Sequence, residues 1–173
     1  NNKENAIRLL KDELDEYHSR YTVKWYEMMF NKIGIIDPKG EDKFIVDNLL
    51  ELMEEFSADY TNTFAALTLN ELSGEKLFIS DQFINWHEKW KERINYKSNN
   101  IEIKKLMQSV NPLVIPRNHL VESALEGVIQ GDRSQINDLL QLIVNPYNYT
   151  LDNIKLQNIP SGFDDNYKTF CGT

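Results

Sequence analysis

The residues of this chain that could do chemistry are few and far apart. Its single cysteine, Cys171, stands next to the C-terminal pair Gly172-Thr173. A thiol on a terminal tail is accessible and can exchange with a partner thiol. Arg117, Asn118 and His119 set a fixed positive charge beside an amide donor where a helix is expected to start, and free backbone N–H groups point the same way, so the run could hold an anion. The alternative is that Asn118 caps that helix while Arg117 satisfies carbonyls or pairs with an acid such as Glu122. A chain with 27 acidic residues favours this structural role. His18, His87 and His119 fall in different helices or helix starts, and none has a histidine or cysteine at i+3 or i+4 to build a metal face. Trp86 and Trp90, one turn apart, could form a stacking platform, but their spacing suits an interior stripe better. The acid pairs Glu54-Glu55 and Asp164-Asp165 are adjacent, so on a helix they diverge into solvent. No glycine-rich phosphate loop and no G-x-S-x-G elbow occurs. On its own residues the chain is expected to carry no active site.

The elements that would position these groups read as helices throughout. At 173 residues, 41% apolar and 27% charged, the chain is long enough to bury a sizeable core of a soluble globular type. The expected fold is all-α, an irregular domain of about six to seven helices over 1–147 that ends in a helical hairpin, with an extended tail over 148–173. Ile7, Leu10, Leu14, Tyr17, Tyr21, Trp25 and Met28 recur at three-to-four spacing on a long first helix, and their aromatic content predicts packing within the domain rather than a coiled-coil seam. Gly34, Pro38 and Gly40 close it. A second helix from near Glu41 carries Phe44, Ile45, Leu49, Leu52, Met53 and Phe56. A short third, capped by Asp59, carries Tyr60, Phe64, Ala65 and Leu67, and its polar Tyr60-Thr61-Asn62-Thr63 start reads as a hydrogen-bonded corner or, alternatively, a contact surface. After a connection through Ser73-Gly74, a fourth helix from about Ser80 to Asn95 carries Phe83, Trp86, Trp90 and Ile94. Tyr96 to Asn100 is a polar loop, and a fifth helix carries Ile103, Leu106, Met107 and Val110.

The densest punctuation lies between Asn111 and Tyr147. Asn111-Pro112 and Pro116 break the chain. Leu120, Ala124, Leu125, Val128 and Ile129 then form one helical stripe, and Gly131 is placed to end it with a positive φ. Asp132 is expected to cap the next helix with Gln135 completing a capping box, and Ile136, Leu139, Leu140 and Ile143 supply the second stripe. Asn145-Pro146-Tyr147 closes the hairpin. The tail beyond it has no sustained period, and Phe163, Tyr167 and Phe170 are its candidate anchors.

The order of these blocks resembles the C-terminal region of the selenoprotein O (YdiU) family. The likeness is carried by Asn111-Pro112, Ile115-Pro116-Arg117-Asn118-His119, Glu122-Ser123-Ala124-Leu125, Gln130-Gly131-Asp132, Leu139-Leu140 and Asn145-Pro146-Tyr147. Asp59 to Phe64 looks like a second block upstream. Members end in a cysteine or selenocysteine at the place of Cys171, although their usual last two residues are serines where this chain has Gly172 and Thr173. The resemblance covers most of the chain. Together with a first residue that is Asn1 rather than Met, it implies the C-terminal piece of a longer protein.

The resemblance implies a protein-kinase-like fold in the whole protein, with ATP and a divalent metal, Mg or Mn, bound in an orientation reversed relative to kinases, and AMP transferred to hydroxyl side chains of other proteins. The family's catalytic, nucleotide and metal residues precede the matched region, so none is assigned here. This chain would then be a helical accessory part whose partners are the upstream kinase-like domain and, for the whole protein, its protein substrates. The resemblance also implies that Cys171 pairs with an upstream cysteine as a redox control; otherwise it is an ordinary exposed thiol. The competing reading is an autonomous helical interaction or regulatory module without enzymatic activity, docking partners through an acidic surface. A net charge of −8 argues against nucleic acid as a partner. No apolar run approaches the roughly 20 residues needed to span a bilayer, so no membrane is expected either. A lone cysteine suits a reducing, cytoplasmic setting.

Overall fold

The computed structural model describes residues 2–95 and 101–150, so the expected loop at 96–100 and the tail from 151 with its anchors lie outside the described residues. Seven α-helices and one 3-10 turn follow in order; among the described residues 71% are helical and there is no strand. The helices are α1 (Asn2–Lys32), α2 (Lys43–Glu55), α3 (Tyr60–Leu69), α4 (Asp81–Arg93), α5 (Ile101–Val110), α6 (Asn118–Ile129) and α7 (Ser134–Val144). None is long and apolar enough to cross a membrane. The chain divides between Val110 and Asn111 into two compact units.

The first unit is built on α1 to α5. Its core is continuous, from Met29 and Phe30 on α1 and Ile33 just after it through Val46, Leu49 and Met53 on α2 to Phe83, Trp86 and Trp90 on α4 and Ile103 and Met107 on α5. The tryptophans are core, as their spacing predicts. Their rings stack with centroids 5.8 Å apart. Each also satisfies a backbone carbonyl, Trp86 Nε1 donating to Ile45 at 2.8 Å and Trp90 Nε1 to Ile33 at 2.7 Å. Buried Lys32 lies over the Phe64 and Tyr60 rings at 4.9 and 5.4 Å. The polar start of α3 is a hydrogen-bonded corner: the Asp59 carboxylate accepts the Asn62 N–H at 2.7 Å, and buried Thr63 donates its hydroxyl to the Asp59 carbonyl.

Two expected faces are wrong in register. The stripe from Ile7 to Tyr21 does not pack into the domain: Leu10 and Leu14 are 65% and 68% exposed, and every described side chain from Lys3 to Tyr21 faces solvent. The packed face is instead Trp25, Tyr26, Met29 and Phe30 at the end of α1, continued by Ile33 in the turn that follows. At 100° per residue that set is centred about 110° away from the Ile7–Tyr21 stripe, so the apolar period continues but on a different side of the helix. On α2, Phe44 is 65% exposed and Val46 takes the core position in its place, since Phe44 lies on the opposite side from Leu49 and Met53.

Helix ends follow one device. After α1 the Gly34 N–H reaches the Asn31 carbonyl and the Ile35 N–H reaches Phe30, and after α6 Gly131 and Asp132 repeat the pattern onto Val128 and Gly127. Ser57, Asn70 and Asn95 hold the same left-handed position after α2, α3 and α4 without being glycine.

The second unit holds the expected α6–α7 hairpin. Its capping differs from expectation. Arg133 occupies the N-cap position of α7, while the Asp132 carboxylate accepts the Ser134 N–H two residues on. Gln135 does not close a capping box; it accepts the Ser123 hydroxyl at 2.7 Å and so ties α7 to α6. Of the α6 stripe Ala124 is buried, but Ile129 at the last turn is 86% exposed.

Candidate functional site

The best-defined polar constellation of the first unit was not anticipated from the sequence. Asp42, in the 3-10 turn Gly40–Asp42, is 1% exposed and forms a two-pronged ion pair with Arg93 at the end of α4, Nε to Oδ1 at 2.6 Å and Nη2 to Oδ2 at 2.7 Å. The Lys39 N–H adds a third hydrogen bond to the carboxylate at 2.6 Å. Burial alone would raise this carboxyl, but the guanidinium and the N–H outweigh it and hold it below the usual carboxylate range. The arrangement is a clamp. It fastens the loop after α1 to α4, and Arg93 also donates to the Asp37 carbonyl at 3.1 Å.

Beside it lies an open cleft of about 660 Å³ between the end of α1, the 35–38 loop and α5, floored by Phe30, Ile35 and Leu106 and rimmed by Glu27, Asp37 and Glu102. It contains no nucleophile, and Glu27 is already paired with Lys24 at 2.6 Å. On α4, His87 stacks between Phe83 and Trp90, with ring centroids 5.7 and 5.3 Å away. Its Nε2 is buried without a hydrogen-bond partner. Burial, aided by the charge of Lys91, pushes the imidazole down to about 4, so it is neutral at pH 7.

The sequence-predicted candidates sit elsewhere. Arg117, Asn118 and His119 are together at the start of α6, but their roles differ from the expected ones. Arg117 rather than Asn118 occupies the N-cap position, with no side-chain cap; its carbonyl accepts the Leu120 and Val121 N–H groups at 2.9 and 3.0 Å. Asn118 is the first helical residue and is exposed. Arg117, His119 and Glu122 are each engaged in a contact, so none of them is free. Cys171 lies outside the described residues. What the second unit does bring together are two of the punctuating motifs: Leu113, beside Asn111-Pro112, donates its N–H to the Pro146 carbonyl at 2.7 Å, and the Tyr149 hydroxyl donates to the carbonyl of buried Asn111 at 2.8 Å.

Among the described residues no group of three or more His, Cys, Asp or Glu side chains is placed to hold a metal ion. A family model described as Protein adenylyltransferase SelO matches residues 5–144. Protein nucleotidyltransferase YdiU of Clostridium beijerinckii is 38% identical, over 100% of this chain and 36% of its own length. The protein of the same name from Clostridium botulinum is 41% identical over 98% of this chain and 35% of its own. That from Bacillus cereus is 38% identical over 99% and 36%. The relatives that the chain matches thus share one name, protein nucleotidyltransferase. The chain belongs to the SelO/YdiU family and corresponds to the C-terminal region of its relatives, spanning about a third of their length.

Proposed function

We propose that this chain is the non-catalytic, helical C-terminal part of a protein adenylyltransferase that moves AMP from ATP to hydroxyl side chains of proteins. The observation that carries the reading is the match over the whole chain to relatives named protein nucleotidyltransferases, of which it covers only 36%. The buried polar pair of the first unit fits an accessory role, since Asp42 and Arg93 are engaged in structural bonds with each other. In this reading ATP and its Mg or Mn ion are held by an upstream kinase-like domain, the chain's partner is that domain, and the substrates are proteins met by the whole polypeptide. Cys171 acts as a redox-regulatory thiol toward an upstream cysteine, in a cytoplasmic setting. The exposed apolar face of α1 favours this over an autonomous module, because a surface made to meet a missing body resembles an interface.

Incubation with Mg²⁺ or Mn²⁺ and ATP labelled on the α-phosphate tests it. Label is expected on protein with the full-length polypeptide and not with this chain alone. Transfer by this chain alone would overturn the non-catalytic assignment, and silence from both would overturn the activity.

A further inference from the structure

The first two thirds of α1 form a helix that nothing in the first unit covers. Ile7, Leu10, Leu14, Tyr17 and Tyr21 repeat at spacings of three and four, lie within one third of the helix circumference, and are all exposed. Together they present several hundred Å² of contiguous apolar surface, about the size at which an exposed patch on a soluble protein signals a partner. Most helical stability in proteins comes from packing an apolar face, so this uncovered stretch also calls for a cover.

Resting on the reading proposed above, we infer that this α1 face is the docking surface for the part of the same polypeptide that precedes it, bound in cis. In the relatives the matched region is C-terminal and makes up about a third of the chain, so the larger part of their length comes before it. Its point of attachment is α1, the first element. Tethering at that point gives the preceding part a high effective concentration at the stripe. The stripe is poorly suited to a second copy: it spans only about two to three heptads. Tyr17 and Tyr21 stack on each other at 6.3 Å and 27°, which makes a broad aromatic surface rather than the separate knobs of a two-stranded seam.

The test is amide hydrogen exchange across residues 7–21 in the full-length polypeptide and in this chain alone. Expected is a slowing of roughly a hundredfold or more in the full-length protein, abolished there by the pair Leu10→Glu and Leu14→Glu. The pair Asp12→Lys and Ser19→Lys, on the opposite side of the helix, should leave the protection in place. The chain alone should melt at the same temperature with or without Leu10→Glu and Leu14→Glu, since both positions are solvent-facing, which separates lost docking from lost folding. Fast exchange in both proteins would overturn the inference. So would concentration-dependent protection of the chain alone, which would give the face to a second copy. Protection is read independently of AMP transfer, so a docked α1 in an inactive protein would sink the activity and leave the docking surface standing.

Discussion

Arg93→Met isolates the Asp42 clamp. The substitution keeps most of the side-chain length and removes the cation, leaving a carboxylate that is 1% exposed with only the Lys39 N–H, at 2.6 Å, for support. Removing one partner of a buried ion pair costs about 3–5 kcal/mol. The Arg93 side chain is itself 24% exposed and one hydrogen bond to Asp42 survives, so the low end, about 3 kcal/mol, applies here. For a chain of this size that corresponds to a fall in Tm of roughly 6–12 °C. The pH dependence gives the loss a signature. In the parent the folded carboxyl lies below its unfolded value of 3.8, so its stabilisation is fully present above that value and is lost as pH falls through the folded one. In the variant burial dominates and raises the carboxyl, so the unpaired carboxylate costs most at neutral pH and the difference from the parent shrinks on acidification. Urea unfolding followed by fluorescence of Trp86 and Trp90 reads both quantities. A cost below about 1 kcal/mol at pH 7, or one that does not shrink toward pH 4, would refute the clamp as argued. Adding Asp42→Leu to Arg93→Met should recover most of the loss, because an apolar pair leaves no buried charge behind.

Three further outcomes follow from local geometry. Gly34→Ala should cost about 3 kcal/mol, combining a left-handed backbone with overpacking, because φ is +71° and a Cβ would meet Ile103 Cγ2 at 2.6 Å and Met107 Sδ at 3.0 Å. Gly131→Ala shares the left-handed φ, +89°, but has no atom within 4 Å, so its cost should be about 1 kcal/mol; equal costs in denaturation would contradict the clash. His87 should titrate by NMR near pH 4 rather than 6.5. Because its folded value is lowered, the stability linked to it is complete above 6.5 and falls away as pH drops toward about 4, a slope that His87→Phe should remove. Tyr149→Phe should destabilise the second unit by about 1 kcal/mol through loss of the hydrogen bond to Asn111, measured by exchange of amides near Leu113 and Pro146.

Where one periodic signal had one meaning, it could be read directly. Trp86, Trp90 and Ile94 lie where their spacing puts them, Asp59 caps α3, and Gly34 and Gly131 end α1 and α6. On α1 the periodicity was real but its partner was not in view. A stripe of Ile, Leu and Tyr looks the same whether its cover is the helix's own domain or another body, and only exposure in the fold separates the two. The capping errors have a shared cause. Asn118 and Asp132 each sit beside an arginine at the boundary, and one residue of register decides which of the two holds the N-cap position. Asp42 with Arg93 was hidden because the pair is 51 residues apart, and nothing local marks an acid in a short turn as destined for burial. Ser57, Asn70 and Asn95 replaced the expected glycine signal at helix ends, since short polar residues tolerate the left-handed region at modest cost.

The most direct test of the central claim is the fate of the two ends of ATP in the full-length polypeptide. Parallel reactions with label on the α-phosphate and on the γ-phosphate, each repeated with this chain alone, should leave only the α-label on protein, and only with the full-length polypeptide. Retention of the γ-label instead would mean phosphoryl transfer and contradict an adenylyltransferase. Retention of either label by this chain alone would contradict its accessory role.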